Sequence, residues 1–172
     1  MQSFSFLAAA LVALPQMALA LDDIEPGAKV AFLGMHFIDT STEGAMNGVR
    51  DDETARLALL EAEVRERFET EGFDLLDLAP VTEELERTLN PANCNDCEVR
   101  MAEQLGADYS LVGEVQKVSN LILSMNLYIR DAATGRTVAA GAVDIRGNND
   151  ESWQRGYRYL LKNVIFKQEQ IQ

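Results

Sequence analysis

Cys94 and Cys97 are the only thiols in the chain, and C-x-x-C spacing serves four kinds of chemistry. Haem attachment requires a following histidine, and residue 98 is glutamate. A closed zinc site takes about four ligands; two thiols and the distant His36 fall short unless carboxylates join them. A redox-active dithiol needs a helix start, where the dipole lowers one thiol's pKa. The pair does precede a helix, but Pro91-Ala-Asn-Cys94 follows a short helix rather than a core strand. A local disulfide is the fourth role, and it is the expected one in an oxidising compartment. Residues i and i+3 of a helical turn lie within the roughly 4.4–6.8 Å Cα separation that a disulfide tolerates. The sequence favours the disulfide and keeps the redox dithiol as its alternative.

His36 is the only histidine and stands two residues beyond the first expected strand. Such a histidine is solvated or hydrogen-bonded more often than catalytic. Asp39, Glu43, Asp51, Asp52 and Glu53 could gather around a cation, but their spacing does not match an EF-hand loop, and an ordinary acidic loop is the better reading. The chain has no G-x-S-x-G elbow, phosphate loop or dinucleotide fingerprint. No catalytic residue, metal or cofactor is expected from these residues.

The elements that would position these groups follow from hydrophobic periodicity. Lys29–Gly34 is a near-continuous apolar run, as in strands covered on both faces. Residues 35–51 then read as a long polar connection. Leu57, Leu60, Val64 and Phe68 recur at helical steps, predicting a helix over 52–71 that stops at Gly72. A second strand is expected over 73–78, a short helix over 81–89, and another helix from Asn93 or Asn95 to Leu105. Gly106–Arg146 reads as three strands. Leu121, Leu123, Met125, Leu127 and Ile129 alternate with polar or mixed neighbours, the period of a strand with one buried face. Residues 131–135 make a hairpin turn with a positive φ at Gly135. A last helix from about Asn149 presents Trp153, Tyr157, Leu160, Leu161 and Val164 on one side. The small residues Ala139–Ala142 predict a close approach of that helix to the sheet.

Two strand-helix-strand units require right-handed parallel crossovers, and the final strands form hairpins. The prediction is one α/β domain with a five-stranded mixed sheet of order 2-1-3-4-5, ending in an antiparallel meander, with helices on both faces. In open α/β sheets ligands bind beyond the carboxyl ends of the strands, where the winding reverses. That point falls between the first and third strands, beneath the 35–51 connection. His36, Asp39, Thr40, Ser41, Thr42 and Glu43 are therefore the candidate ligand or partner residues. They bring no strong positive charge, which argues against a phosphate ligand.

Residues 1–20 read as an export signal: an apolar run over 6–14, too short to span a bilayer, then Ala18-Leu-Ala20 before Leu21-Asp-Asp. Cleavage after Ala20 would leave residues 21–172 as a single periplasmic domain with its core at about 28–165. Leu21 in place of cysteine predicts no lipid anchor, and no later stretch is long enough for a membrane span. The formal charge of −13 makes nucleic acid and anionic lipid poor partners. The sequence sets no oligomeric state.

Gly106-Ala-Asp-Tyr-Ser-Leu-Val-Gly113, Val115–Leu123, Asp131–Gly135 and the later Trp153 resemble a family of secreted bacterial proteins defined as a domain of unknown function. The resemblance covers residues 28 to 165. The opening Lys-Val-Ala-Phe-Leu strand and the later Gly-Ala-Asp-Tyr strand also resemble the amino-terminal α/β domain of the TolB translocation protein. They are similar, too, to the periplasmic domain of the curli-secretion lipoprotein. These resemblances imply a periplasmic binding or assembly module with a periplasmic protein partner. They carry no catalytic residues, and the missing lipidated cysteine and pore segments argue against a channel.

Overall fold

Gly34 does not end the first strand; it kinks it. In the computed structural model, which describes residues 27–167, strand β1 runs from Lys29 to Asp39. Phe32 pairs with Leu111 and Met35 with Gly113, so Leu33 and Gly34 together oppose one residue of the neighbouring strand. Gly34 has φ +92°, which a glycine adopts without Cβ strain. The bulge resets the alternation. Val30 and Phe32 share their face with Met35 and Phe37 beyond the bulge.

The 35–51 segment therefore departs from the expectation of an unstructured connection. Its first five residues extend β1, and helix α1 occupies Thr42–Asn47. Ser41 caps α1, its hydroxyl accepting from the Gly44 N–H at 3.0 Å. A helix of six residues is too short to register as a 3.6-residue period.

Helix α2 follows from Asp51 to Thr70 and buries Leu60, Val64 and Phe68. The second strand, β2, is shorter than expected, only Asp74–Leu75. Beyond it the chain turns at Asp77, whose carboxylate accepts from the Ala79 N–H. Helix α3 covers Thr82–Arg87 and α4 covers Cys97–Gln104. The meander is β3 (Tyr109–Ser119), β4 (Ile122–Asp131) and β5 (Thr137–Ile145). Leu121 leaves the predicted apolar row because it sits in the β3–β4 turn, in solvent. Helix α5 spans Asp150–Leu160 and continues as a π-helical turn over Leu161–Ile165.

The sheet has the order β2-β1-β3-β4-β5, with β1 parallel to β2 and β3 and the remaining pairs antiparallel. One face is covered by α2 and α5, which pack Leu60, Val64, Phe68, Trp153, Tyr157 and Leu160 onto the strands. The other carries α3 and α4, whose Met101 and Ala102 meet Ala31, Leu33 and Val112. The predicted close approach occurs at Gly141. A Cβ there would stand 2.7 Å from Leu160 Cδ1 and 2.8 Å from Val164 Cγ1.

Candidate functional site

At the carboxyl ends of β1 and β3 the expected crevice is filled by an ion cluster. The register puts Asp39 opposite Lys117, both on the α2 face because of the bulge at Gly34. Lys117 is fully buried. Its Nζ lies 2.7 Å from Glu53 Oε1, 2.9 Å from Glu43 Oε2 and 3.3 Å from Asp39 Oδ2. The last contact is an ion pair outside hydrogen-bond geometry, and Asp39 Oδ2 has no hydrogen-bond partner. Asp39 Oδ1 accepts from the Ser41 N–H at 2.8 Å. Glu53, also fully buried, accepts from Asn148 Nδ2 at 2.6 Å and so ties α2 to the loop before α5. Gly44 closes the cluster from above; a Cβ there would lie 2.3 Å from the Asp39 carboxylate.

The electrostatics follow from this packing. Burial opposes the charge on Lys117, but the carboxylates of Glu53, Glu43 and Asp39 outweigh it and hold the amine well above the usual lysine range. Burial likewise opposes ionisation of Asp39, yet the two Ser41 hydrogen bonds and the Lys117 ammonium hold its carboxyl below the usual range. Glu43 is lowered by Lys117 first and Asn120 second. Arg50 first, with Arg56, brings the Asp52 carboxyl to about 2. Arg56 extends the network, donating to Asp150 Oδ1 at 2.7 Å and to Asp52 Oδ2 at 2.6 Å.

The residues singled out from the sequence thus divide. Asp39, Glu43 and Glu53 meet on Lys117, and Asp52 belongs to the adjoining arginine network. Thr40 binds the Lys117 carbonyl through both its N–H and its hydroxyl. Ser41 is spent as a cap, while Thr42 and Asp51 are exposed. His36 is apart from them, its Nε2 2.9 Å from the Leu33 carbonyl, with burial lowering its pKa. Lys117 is the central residue that sequence reasoning missed. Its signal was parity: Lys117 falls on the same side of β3 as Leu111 and Val115. Glu53 likewise stands seven residues before Leu60 on the buried stripe of α2.

A second group lies on the opposite face. Cys94 and Cys97 are joined in a disulfide with a Cα separation of 5.4 Å. Closing so small a loop contributes on the order of 2 kcal/mol. Asn95 and Asp96 between them both adopt positive φ, 59° and 65°. Arg130 of β4 pairs with Glu98 of α4 and with Asp96 at 2.7 Å. Beside them opens a cavity of about 170 Å³ lined by Ala92, Glu98, Ser110, Val112, Tyr128, Arg130 and Thr137. A larger groove of about 350 Å³ runs between α2 and α5. Two of its wall cations are paired, Arg158 with Glu63 at 2.7 Å and Arg67 with Glu71 at 2.6 Å.

No curated protein matches the chain significantly. Among solved structures it is similar to the C-terminal domain of LpoB from Salmonella enterica, with 15% identity and a TM-score of 0.53. That match covers 73% of this chain and 87% of the other. Lipoprotein GNA1162 from Neisseria meningitidis is 15% identical over 72% of this chain and 83% of its own, at TM-score 0.49. TolB from Acinetobacter baumannii is 11% identical over 77% of this chain and 26% of its own, at 0.38. At such identities the LpoB likeness speaks for the fold alone. The family comparison reaches further, because a family model covers residues 28–165, from the residue before β1 to the end of the π-helical turn. The chain belongs to that family, DUF3280, described as "Protein of unknown function (DUF2380)".

Proposed function

We propose that this protein is a periplasmic binding module whose partner docks at the carboxyl ends of β1 and β3. One observation carries the reading. Among the described residues eight large apolar side chains stand in solvent, and five of them, Met46, Val49, Val118, Leu121 and Ile122, belong to segments flanking the Lys117 cluster. Asp39 and Glu43 are turned to Lys117, Thr40 is held on the Lys117 carbonyl and Ser41 caps α1, so recognition at this end falls to Thr42 and the apolar residues around it. Asp51, Asp150 and Glu151 add acidic charge at their margin. A partner segment with apolar side chains flanked by lysine or arginine fits that surface.

The position of Asp39 and Glu43 decides how this is tested. Exchanging residues 39–47 for a flexible linker would strip two carboxylates from Lys117 and report on stability. Surface substitutions avoid that. The Met46→Glu/Leu121→Glu protein should keep its melting temperature and lose a partner captured from periplasm by the unaltered chain. Leu59→Glu, at an exposed apolar site elsewhere on α2, should keep it. Undiminished capture by the double variant would remove this surface from consideration.

Export is the second part of the proposal and rests on residues 1–20, which lie outside the described residues. No helix among the described residues is long and apolar enough to cross a membrane. Intact-mass measurement of protein recovered from periplasm should give a chain beginning at Leu21. A chain that retains Met1 would sink the localisation.

A further inference from the structure

Cys94 is half-buried, and its Sγ faces two acceptors, the Pro91 carbonyl at 3.1 Å and Glu98 Oε2 at 3.2 Å. Glu98 is 4% exposed, and its Oε1 is held by Arg130. Arg130 is itself fixed, pairing with Asp96 at 2.7 Å and donating from Nε to the Gly135 carbonyl at 2.8 Å. A disulfide sulfur carries no proton, so in the oxidised protein Cys94 donates to neither oxygen. Among the described residues Cys94 is also the one side chain in hydrogen-bond contact with Glu98 Oε2. Carboxylate oxygens at that depth normally have a donor. Here the donor exists only when Cys94 is a thiol.

Going beyond the docking role, and independently of it, we propose that Cys94 and Cys97 form a working thiol–disulfide couple. Glu98 is the base that takes the Cys94 proton, and Arg130 is the positioning residue that orients Glu98. A nucleophile within hydrogen-bond reach of a base, itself oriented by a third group, is the arrangement that activates a side-chain nucleophile. Cys97 is the first residue of α4, where the helix N-terminus favours a thiolate, and at 6% exposed it is the less accessible sulfur.

The substrate class is a disulfide-bonded protein. Cys94 transfers its proton to Glu98 Oε2 as its sulfur attacks one sulfur of the partner's disulfide. The partner's S–S bond breaks, a mixed disulfide with Cys94 forms, and the departing thiolate takes the proton from Glu98. Cys97 then loses its proton to water and attacks Cys94 Sγ, breaking the mixed disulfide. The second partner thiolate leaves and is protonated by water. Two electrons pass to the partner, which ends as a dithiol, and the chain ends with Cys94 bonded to Cys97. A dithiol protein drives the sequence in reverse. The cavity beside Glu98 and Arg130 can receive residues flanking the partner's disulfide.

The test uses the purified, reduced chain with glutathione disulfide as probe, following the rate of mixed-disulfide formation from pH 5 to 8. An unassisted thiol slows tenfold for each unit below its pKa. Base assistance by Glu98 should instead give a plateau in the acid half of that range. Glu98→Gln should abolish the plateau and slow the reaction at pH 6 by about tenfold or more. Arg130→Gln should lower the plateau without abolishing it, because Glu98 loses the group that orients it. Cys97→Ser should show the same first step and stop at the mixed disulfide. A wild-type rate that falls tenfold per unit across the whole range overturns the proposal, whether or not any variant folds. So does a rate at pH 6 that Glu98→Gln leaves unchanged.

Discussion

Lys117→Met should cost roughly 3–5 kcal/mol at neutral pH, the range for removing one partner of a buried ion pair. The side chains are of similar length, so the cost comes from charge. Among the described residues Lys117 is the one ion-pair partner of Glu53, and without it a fully buried carboxylate keeps the Asn148 amide and the Arg50 backbone N–H as its hydrogen-bond donors. Asp39 keeps the Ser41 N–H. The sign of the pH dependence should reverse as well. In the native protein Asp39 and Glu43 have folded pKa values below their unfolded ones, so their contribution is present above about pH 4.5 and is lost as pH falls through the folded values. In Lys117→Met, burial without a counter-charge raises the folded carboxyl pKa values, and stability should rise as pH falls from 7 toward 5. Urea denaturation at both pH values reads the two effects. A loss under 1 kcal/mol at pH 7, or a pH slope like that of the native protein, would show that the cluster is solvated rather than buried.

How much of this was legible in the sequence depended on the length of the pattern involved. Alternation across β4 and the stripe of α2 each persist for several repeats, so strand order and the two-faced arrangement could be derived before any coordinates. Gly34 misled because glycine marks both strand ends and bulges, and the apolar Met35, Phe37 and Ile38 beyond it were the contrary signal. Helix α1 has too few residues for periodicity to operate. The Lys117 cluster was hidden for a different reason. Its hydrogen bonds join residues 64 and 74 positions apart, and such pairing is fixed only once the β1–β3 register is fixed. What could have been read is the anomaly itself, a lysine on the buried side of a strand and a glutamate on the buried side of a helix. Two opposite charges so placed imply each other, because neither is tolerated there alone.

Trp153→Ala should destabilise the protein by roughly 3–5 kcal/mol, the range for truncating a buried aromatic. Domains of ordinary stability have only about 5–15 kcal/mol in total, so the variant should lose a large share of its stability and melt at a much lower temperature. Trp153 is the sole tryptophan and is 1% exposed. Asn149 places it in the first turn of α5 by capping the Ser152 N–H at 2.9 Å. The ring packs on Phe37 of β1 with centroids 5.8 Å apart, and Arg56 lies over it at 5.9 Å. Its Nε1 donates to Asn148 Oδ1 at 2.9 Å, while the same amide donates to Glu53. Trp153 therefore supports the Lys117 cluster as well as the core, and the two sites should not be additive. The Trp153→Ala/Lys117→Met protein should lose less than the sum of the single losses, by about 0.5–3 kcal/mol. Trp153→Phe separates the two roles, since it keeps most of the ring volume and removes only the donor to Asn148. Its cost should be nearer 1–2 kcal/mol. Fluorescence of the native protein checks the placement directly: the emission should be that of a buried indole, and a maximum typical of full solvent exposure would refute it.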